Sequence, residues 1–478
     1  NGDTLVGGGA AAGDTIVGGA GNDQIGGGGG NDSLIGGAGS DTITIAAGTV
    51  NASGGDANDT IAVAATLSAA DTISGGAGTD TMTMTPGGTA ADAAFANVSS
   101  IETLSLTAGA ATLGANAQAA GVTTIAMDTA GGGADTLTAT AFTTGLTVAL
   151  GDGNGDIVTL SNADNIVSFA STDELNDGDT IAFGSGADTL SMTAASNVAL
   201  TGTVDLDDIT GLETIVVNGS TGTDVVTLQF QATAATAADA ITVDATQLTG
   251  ASDTITMTNN SGTQPTTFTI TGGVNGDTLV GGGAAAGDTI VGNGGNDSMV
   301  GNQGNDSITG GSGSDNANGG AGNDTINTAA ANDTITAGAG NDNIDAGAAD
   351  DSIVMAGNLT FDDVIDGGAN GTGGDTLSAN ALGTNGDINF LNTSNIEALV
   401  LGTGASQIGS RAQAAGVTAV TLVDGAGVDT LTATTYTTGL TVTAGIGNDS
   451  ISLGSGNDNV VVDSNDELTV NDTIAFGS

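Results

Sequence analysis

Aspartate returns every nine residues. Asp288, Asp297, Asp306, Asp315, Asp324, Asp333, Asp342 and Asp351 form an unbroken series at that interval, and Asp14, Asp23, Asp32 and Asp41 keep the same spacing. Asp59 lies two periods further on, Asp80 follows in "GGAGTDTMT", and Asp449 and Asp458 repeat the interval near the C-terminus. The unit reads G-G-x-G-N-D-x-U-x, with U aliphatic, as in "GNDSMVGNQGNDSITGG" at Gly295. A glycine every two or three residues excludes a helix. The first six positions are turn chemistry, because Gly reaches positive φ freely and Asn and Asp tolerate it. The last three suit a short strand. Two units therefore predict a coil of about 18 residues with two strands, and coils stacked at about 4.8 Å predict two parallel sheets.

One buried aliphatic per unit contributes about 1.5–3 kcal/mol and the backbone hydrogen bonds about 1 kcal/mol apiece. Ordering each residue costs about 1–2 kcal/mol. A unit thus stands near zero or unfavourable before its carboxylates repel one another. The chain has 478 residues, a formal net charge of −53, one basic residue (Arg411) and no His. The missing counter-charge must come from cations in the medium. Calcium suits the residues present: it takes six to eight oxygens, carboxylate and backbone carbonyl alike, in tolerant geometry. Zinc and copper lack His and Cys here, and magnesium demands a stricter octahedron.

The same charge excludes nucleic acid and anionic membrane as partners. No apolar run reaches the roughly 18 residues of a spanning helix, so no membrane insertion is expected. The absence of Cys fits an exported protein that needs no disulfides. Few aromatics and high charge suggest disorder, but 38% of residues are apolar. Without His or Cys there is no His-containing triad, thiol nucleophile or zinc protease motif, so no enzyme is expected. A glycosidase carboxylate pair on a solenoid is conceivable, but sugar-stacking aromatics are scarce. Arg411 reads as a surface or ion-paired residue, and the Thr-rich runs such as "TITI" at Thr42 as solvated strand faces.

A longer repeat overlies the short one. "NGDTLVGGGAAAGDTIVG" occurs at Asn1 and Asn275, "QAAGVT" at Gln118 and Gln413, and "DTIAFGS" at Asp179 and Asp472. Neither end shows an atypical capping repeat, which predicts a segment of a larger repetitive protein or ends covered by neighbours. "SSIETLSL" at Ser99, "TGLETIVV" at Thr210 and "SNIEALVL" at Ser394 each set a Glu (Glu102, Glu213, Glu397) before a strand-like run. These acids read as turn or coil-end residues, with an extra cation ligand as the alternative. The expected organisation is a nonapeptide block at 1–83, a β-rich segment with the IETL and QAAGVT phrases at 84–190, a β-rich spacer at 191–270, a second nonapeptide block at 271–380, and a segment at 381–478 repeating 84–185.

These nonapeptides resemble the RTX calcium-binding repeats, which form a parallel β-roll. The match is strong over 292–354 and good over 18–44; it is partial at 54–62, 75–83 and 445–461. The resemblance implies an all-β, elongated parallel β-roll or β-solenoid, with RTX blocks alternating with further β-rich segments. Carried over by position, the carboxylate ligands would be Asp14, Asp23, Asp32, Asp41, Asp59, Asp80, Asp288, Asp297, Asp306, Asp315, Asp324, Asp333, Asp342, Asp351, Asp449 and Asp458. Gly18, Gly27, Gly36, Gly292, Gly301, Gly310 and Gly319 would contribute from the turns. "TAAAND" before Asp333 lacks the glycines, Ala317 is a weak core residue, and spacings of 12 from Asp351 to Asp363 and Asp375 break the interval.

The interleaved segments look like the β-rich repeats of bacterial surface-layer proteins and other large secreted RTX proteins. The resemblance implies export by a one-step type I route and folding on calcium outside the cell. The expected function is a calcium-dependent structural protein of the bacterial exterior that assembles with copies of itself into a surface layer, sheath or filament. Cell-surface polysaccharide is a further candidate partner. The alternative is a calcium-stiffened stalk segment of a giant adhesin.

Overall fold

The computed structural model describes residues 2–9, 12–64, 66–84, 90–107, 109–127, 134–151, 155–169, 175, 178–193, 201–206, 209–219, 223–230, 240–250, 253–259, 267–283, 285–356, 359–423, 428–445, 447–462 and 472–477. They form two compact units, Asn1–Asn218 with Gln229–Thr236, and Gly219–Leu228 with Ala237–Ser478.

In the first unit, parallel pairings join eleven strands into one sheet among the described residues, from Thr4–Val6 through Thr42–Ile45 and Thr103–Leu106 to Thr214–Asn218. The intervening half-coils form further parallel sheets, one holding Thr15–Ala20, Ser33–Ala38, Asn51–Asp56 and Thr72–Ala77. Each coil drops one aliphatic onto the one below. Ile25, Ile43, Ile61, Met82, Leu104 and Ile125 stand in register, and all are buried. The register advances by 18 residues in the nonapeptide block (Thr15 to Ser33) and by 21 after it (Thr103 to Thr124).

The second unit is built the same way. Eleven parallel strands run from Thr254–Asn259 to Asn459–Val462. Ile290, Ile308, Ile326 and Ile344 stack in the facing sheet. Ala317, short for a core position, lies fully buried between Met299 and Ile335. Within each unit the segments beyond the nonapeptides continue the parallel coiling as longer coils. This is the all-β parallel solenoid expected from the repeat.

Two local expectations need correction. Many strands of the repeat span six residues, not three: Ser298–Gln303 runs on through Gly301 and Asn302, while others such as Gln24–Gly26 keep three. The chain stays paired there because position two of the unit takes a left-handed φ, 104° at Gly19 and 77° at Asn302, which kinks the strand without ending it. The "QAAGVT" phrases, in segments expected to be β-rich, begin in short helices: Gln118 lies in Ala115–Ala119 and Gln413 in Ser410–Ala414. Alanine favours the helix. A carboxylate from an earlier coil caps its start, Asp92 accepting from Gly114 N and Ala117 N at 2.8 and 3.0 Å. Gly121, at φ 108°, stops it. Among the described residues, no helix is long and apolar enough to cross a membrane.

Candidate metal centre

The aspartates that recur in sequence form rows in space. The backbone N–H of each donates to the carboxylate Oδ1 of the aspartate one coil further on. In the second unit Asp297 donates to Asp315 at 2.9 Å, Asp306 to Asp324 at 2.9 Å, Asp315 to Asp333 at 2.7 Å, and Asp324 to Asp342 at 2.9 Å. In the first, Asp23 donates to Asp41 at 2.7 Å, Asp41 to Asp59 at 2.8 Å and Asp59 to Asp80 at 2.7 Å. One oxygen of each carboxylate thus stitches two coils together.

The other oxygen has no donor. Oδ2 of Asp23, Asp41, Asp59, Asp80, Asp297, Asp306, Asp315, Asp324, Asp333, Asp342 and Asp351 is buried without a hydrogen-bond partner. A carboxylate oxygen in that position needs a proton or a cation. The glycine five residues earlier makes the space. A Cβ on Gly292 would collide with Oδ2 of Asp297 and come within 2.7 Å of the Gly310 carbonyl oxygen. Gly301 stands likewise against Asp306 and the Gly319 carbonyl, and Gly18 against Asp23 and the Gly36 carbonyl. The Gly27, Gly292 and Gly301 carbonyls approach the carboxylates of Asp14, Asp277 and Asp288 in the same way. Two oxygen acceptors, one of them charged, therefore face one cradle that only glycine leaves open. Among the described residues no three acidic side chains converge on one point, so a cation held here takes a carboxylate and backbone carbonyls. That donor set fits calcium.

Several sequence-assigned aspartates differ. Oδ2 of Asp14 accepts from Gly8 N at 2.7 Å and Oδ2 of Asp288 from Gly282 N at 2.8 Å. The longer "GGGAAAGD" loop that precedes both supplies these donors. Asp32 receives the Asp14 amide at 2.9 Å. Asp458 is only half-buried and accepts from Leu440 N at 2.9 Å, while the Asp449 amide donates to Asp472 at 2.7 Å. Before Asp333, Asp342 and Asp351 the cradle residue is Thr328, Ala337 or Ala346, each fully buried. The Thr328 hydroxyl donates to the Ala346 carbonyl at 2.9 Å.

Two features escaped sequence reasoning. Where an asparagine precedes the aspartate, it grips the opposite neighbour: Oδ1 of Asn296 accepts from Ser314 N at 2.9 Å and Oδ1 of Asn305 from Asn323 N at 2.7 Å. Adjacent Asn and Asp thus hold the coil ahead and the coil behind. The recurrence of N-D, not D alone, was the signal. The Glu of the IETL-type phrases also joins the row. Oε2 of Glu102, Glu213 and Glu397 accepts the amides of Asp80, Asp188 and Asp375 at 2.7, 2.9 and 2.9 Å. Asp363 and Asp375, off the nine-residue interval, are also in the row, receiving the amides of Asp342 and Asp351 at 2.9 and 2.8 Å.

Burial makes these carboxylates hard to ionise. It pushes Asp288 and Asp333 up to about 7, and Asp59, Asp297, Asp324 and Asp342 up to about 6, against the lowering effect of the backbone N–H each accepts. Asp306, Asp315 and Asp351 are raised for the same reason. No protein cation is at hand to offset this: Arg411 is the chain's one basic residue, and it lies 3.8 Å from Asp387.

A family model of the RTX calcium-binding nonapeptide repeat, written as four copies, matches residues 8–43, 53–83, 282–317, 318–353 and 441–466. No curated protein matches the chain.

Proposed function

From the premise that this chain carries RTX calcium-binding nonapeptide repeats in several copies, we propose that it is a calcium-dependent structural protein of the bacterial cell exterior, not a catalyst. It is exported unfolded, folds on meeting calcium outside the cell, and assembles with copies of itself into a surface layer, sheath or filament. The observation that carries this reading is the row of buried Asp Oδ2 atoms without donors, those in the glycine-lined turns beside a backbone carbonyl oxygen. Asp297, Asp306, Asp315 and Asp324, with the glycines and carbonyls of their turns, would hold the ions. Bound calcium supplies the positive charge that the sequence omits. The chain itself presents the oxygens, excludes water around them with the aliphatic stack, and locks the coil spacing through the Oδ1 bonds.

The same charge would make self-assembly depend on cations. Two surfaces of a protein at −53 repel at close range unless cations lie between them. Sedimentation and electron microscopy of the purified chain over a calcium series test the reading. A lattice or filament protein assembles with calcium alone. A calcium-loaded chain that folds but stays monomeric would assign the alternative role, a stalk segment of a large adhesin.

A further inference from the structure

The phrases around Glu102 and Glu397 lie outside the nonapeptide pattern, yet each closes an aspartate row in the same way. Asp80 and Asp375 are fully buried. Their Oδ1 atoms accept the amides of Asp59 and Asp351 at 2.7 and 2.8 Å, and their own amides donate to Glu102 and Glu397. Their Oδ2 atoms are buried with no donor. The residue two before each Glu, Ser100 or Asn395, takes a left-handed φ of 52° or 54°, uncommon for Ser and tolerated by Asn. That turn aims its carbonyl oxygen into the cradle of Asp80 or Asp375: a Cβ on Gly75 or Gly367 would strike the Ser100 or Asn395 carbonyl and meet the aspartate Oδ2 as well. Negative charge is concentrated at Asp375, with Asp351, Glu397 and Asp350 all acting on it.

We propose that Asp375 Oδ2 with the Asn395 carbonyl, and Asp80 Oδ2 with the Ser100 carbonyl, form closing sites for a hard divalent cation, calcium in the first instance. Glu102 and Glu397 take the place of the next aspartate in the row, and Ser100 and Asn395, in their left-handed turns, take the place of its turn glycine. Asp375 and Glu397 lie beyond the residues the repeat model matches. The third phrase provides an internal contrast. Asp188 also has a buried Oδ2 without a donor and donates to Glu213, but the buried Phe183 stands where Gly75 and Gly367 stand. The open cradle is missing there, and no site is assigned to it.

The proposal rests on the calcium reading above, and the test separates the two. The full chain is crystallised with calcium and the anomalous signal of the ion is mapped. An ion beside Asp375 Oδ2 and the Asn395 carbonyl, in addition to ions in the nonapeptide rows, is the expected result. Ions in the rows with none at Asp375 would overturn the closing site alone, leaving a proton shared between Oδ2 and the carbonyl. No ion anywhere, in a chain that folds fully in chelator, would overturn both readings. In equilibrium dialysis, Asp375→Asn is expected to bind one calcium fewer while the row sites keep their affinity; an unchanged count contradicts the proposal. Glu397→Gln, which keeps an oxygen for the Asp375 amide, is expected to weaken that ion about tenfold with the fold retained, whereas unchanged affinity there would remove the Glu from the site.

Discussion

The amide of Asp297 donates to Oδ1 of Asp315, one coil on, at 2.9 Å, while Oδ2 of the same carboxylate is buried with no donor. One atom of Asp315 is structural without any ion, and the other is incomplete without one. This division sets what each substitution in the row should do.

Asp315→Asn keeps an acceptor for the Asp297 amide and replaces the buried charge by a neutral donor facing the Thr328 carbonyl. In excess chelator the variant should be more stable than the natural protein by about 1–3 kcal/mol, the range for an unsatisfied buried group. In calcium, where the carboxylate is a ligand, it should be the less stable of the two. Residual β-sheet signal in chelator and urea midpoints in calcium check the crossover; a variant weaker in both would contradict it.

Positions one and four of the repeat turn should respond oppositely to exchange between glycine and alanine. Gly301→Ala drives a methyl into Asp306 Oδ2 and the Gly319 carbonyl and should cost about 1–3 kcal/mol, as overpacking does, together with loss of calcium at that turn. Ala331→Gly relieves an exposed residue held at φ 79° and should stabilise by about 1 kcal/mol. Thermal melts of both variants in calcium give the comparison.

Asn305→Ala removes the acceptor for the Asn323 amide without touching a carboxylate. A loss of about 0.5–1.5 kcal/mol is expected, with the calcium count unchanged. If equilibrium dialysis shows fewer ions, the asparagine is a ligand and its assignment as a coil clamp is wrong.

The metal-free protein should lose stability as pH rises. Burial raises Asp288 and Asp333 to about 7, and Asp297, Asp324 and Asp342 to about 6, above the unfolded value of about 3.9. The folded chain therefore binds more protons than the unfolded one across that interval. The stabilisation is complete below about pH 4 and is lost through about 6 to 7. Melting in chelator should be higher at pH 5 than at pH 8, and calcium should raise it most at pH 8. A chelated protein more stable at pH 8 would reverse the sign.

The coil, the parallel sheets and the identity of the aliphatic stack were legible because a nine-residue period leaves few alternatives. Met299 and Ile308 fall in the core as their spacing requires. The six-residue strands were not legible, because glycine signals turn or kinked strand equally and only pairing with the next coil decides. The helices at Gln118 and Gln413 depend on caps from Asp92 and Asp387, more than twenty residues away. The Glu102 and Glu397 rungs depend on which amide a coil of irregular length presents, which no short spacing reveals. Asp14 and Asp288 kept the interval, yet a neighbouring loop amide occupies the oxygen that the other aspartates leave bare.

The central claim is that cations complete the aspartate rows and thereby fold the chain. Far-UV circular dichroism of the whole protein, titrated with free calcium from excess chelator to millimolar, measures this most directly. A cooperative passage from a weak, coil-like spectrum to a β-sheet spectrum at pH 8, reversed by chelator, is the predicted result. A full β-sheet spectrum in excess chelator, unchanged on adding calcium, would contradict the account.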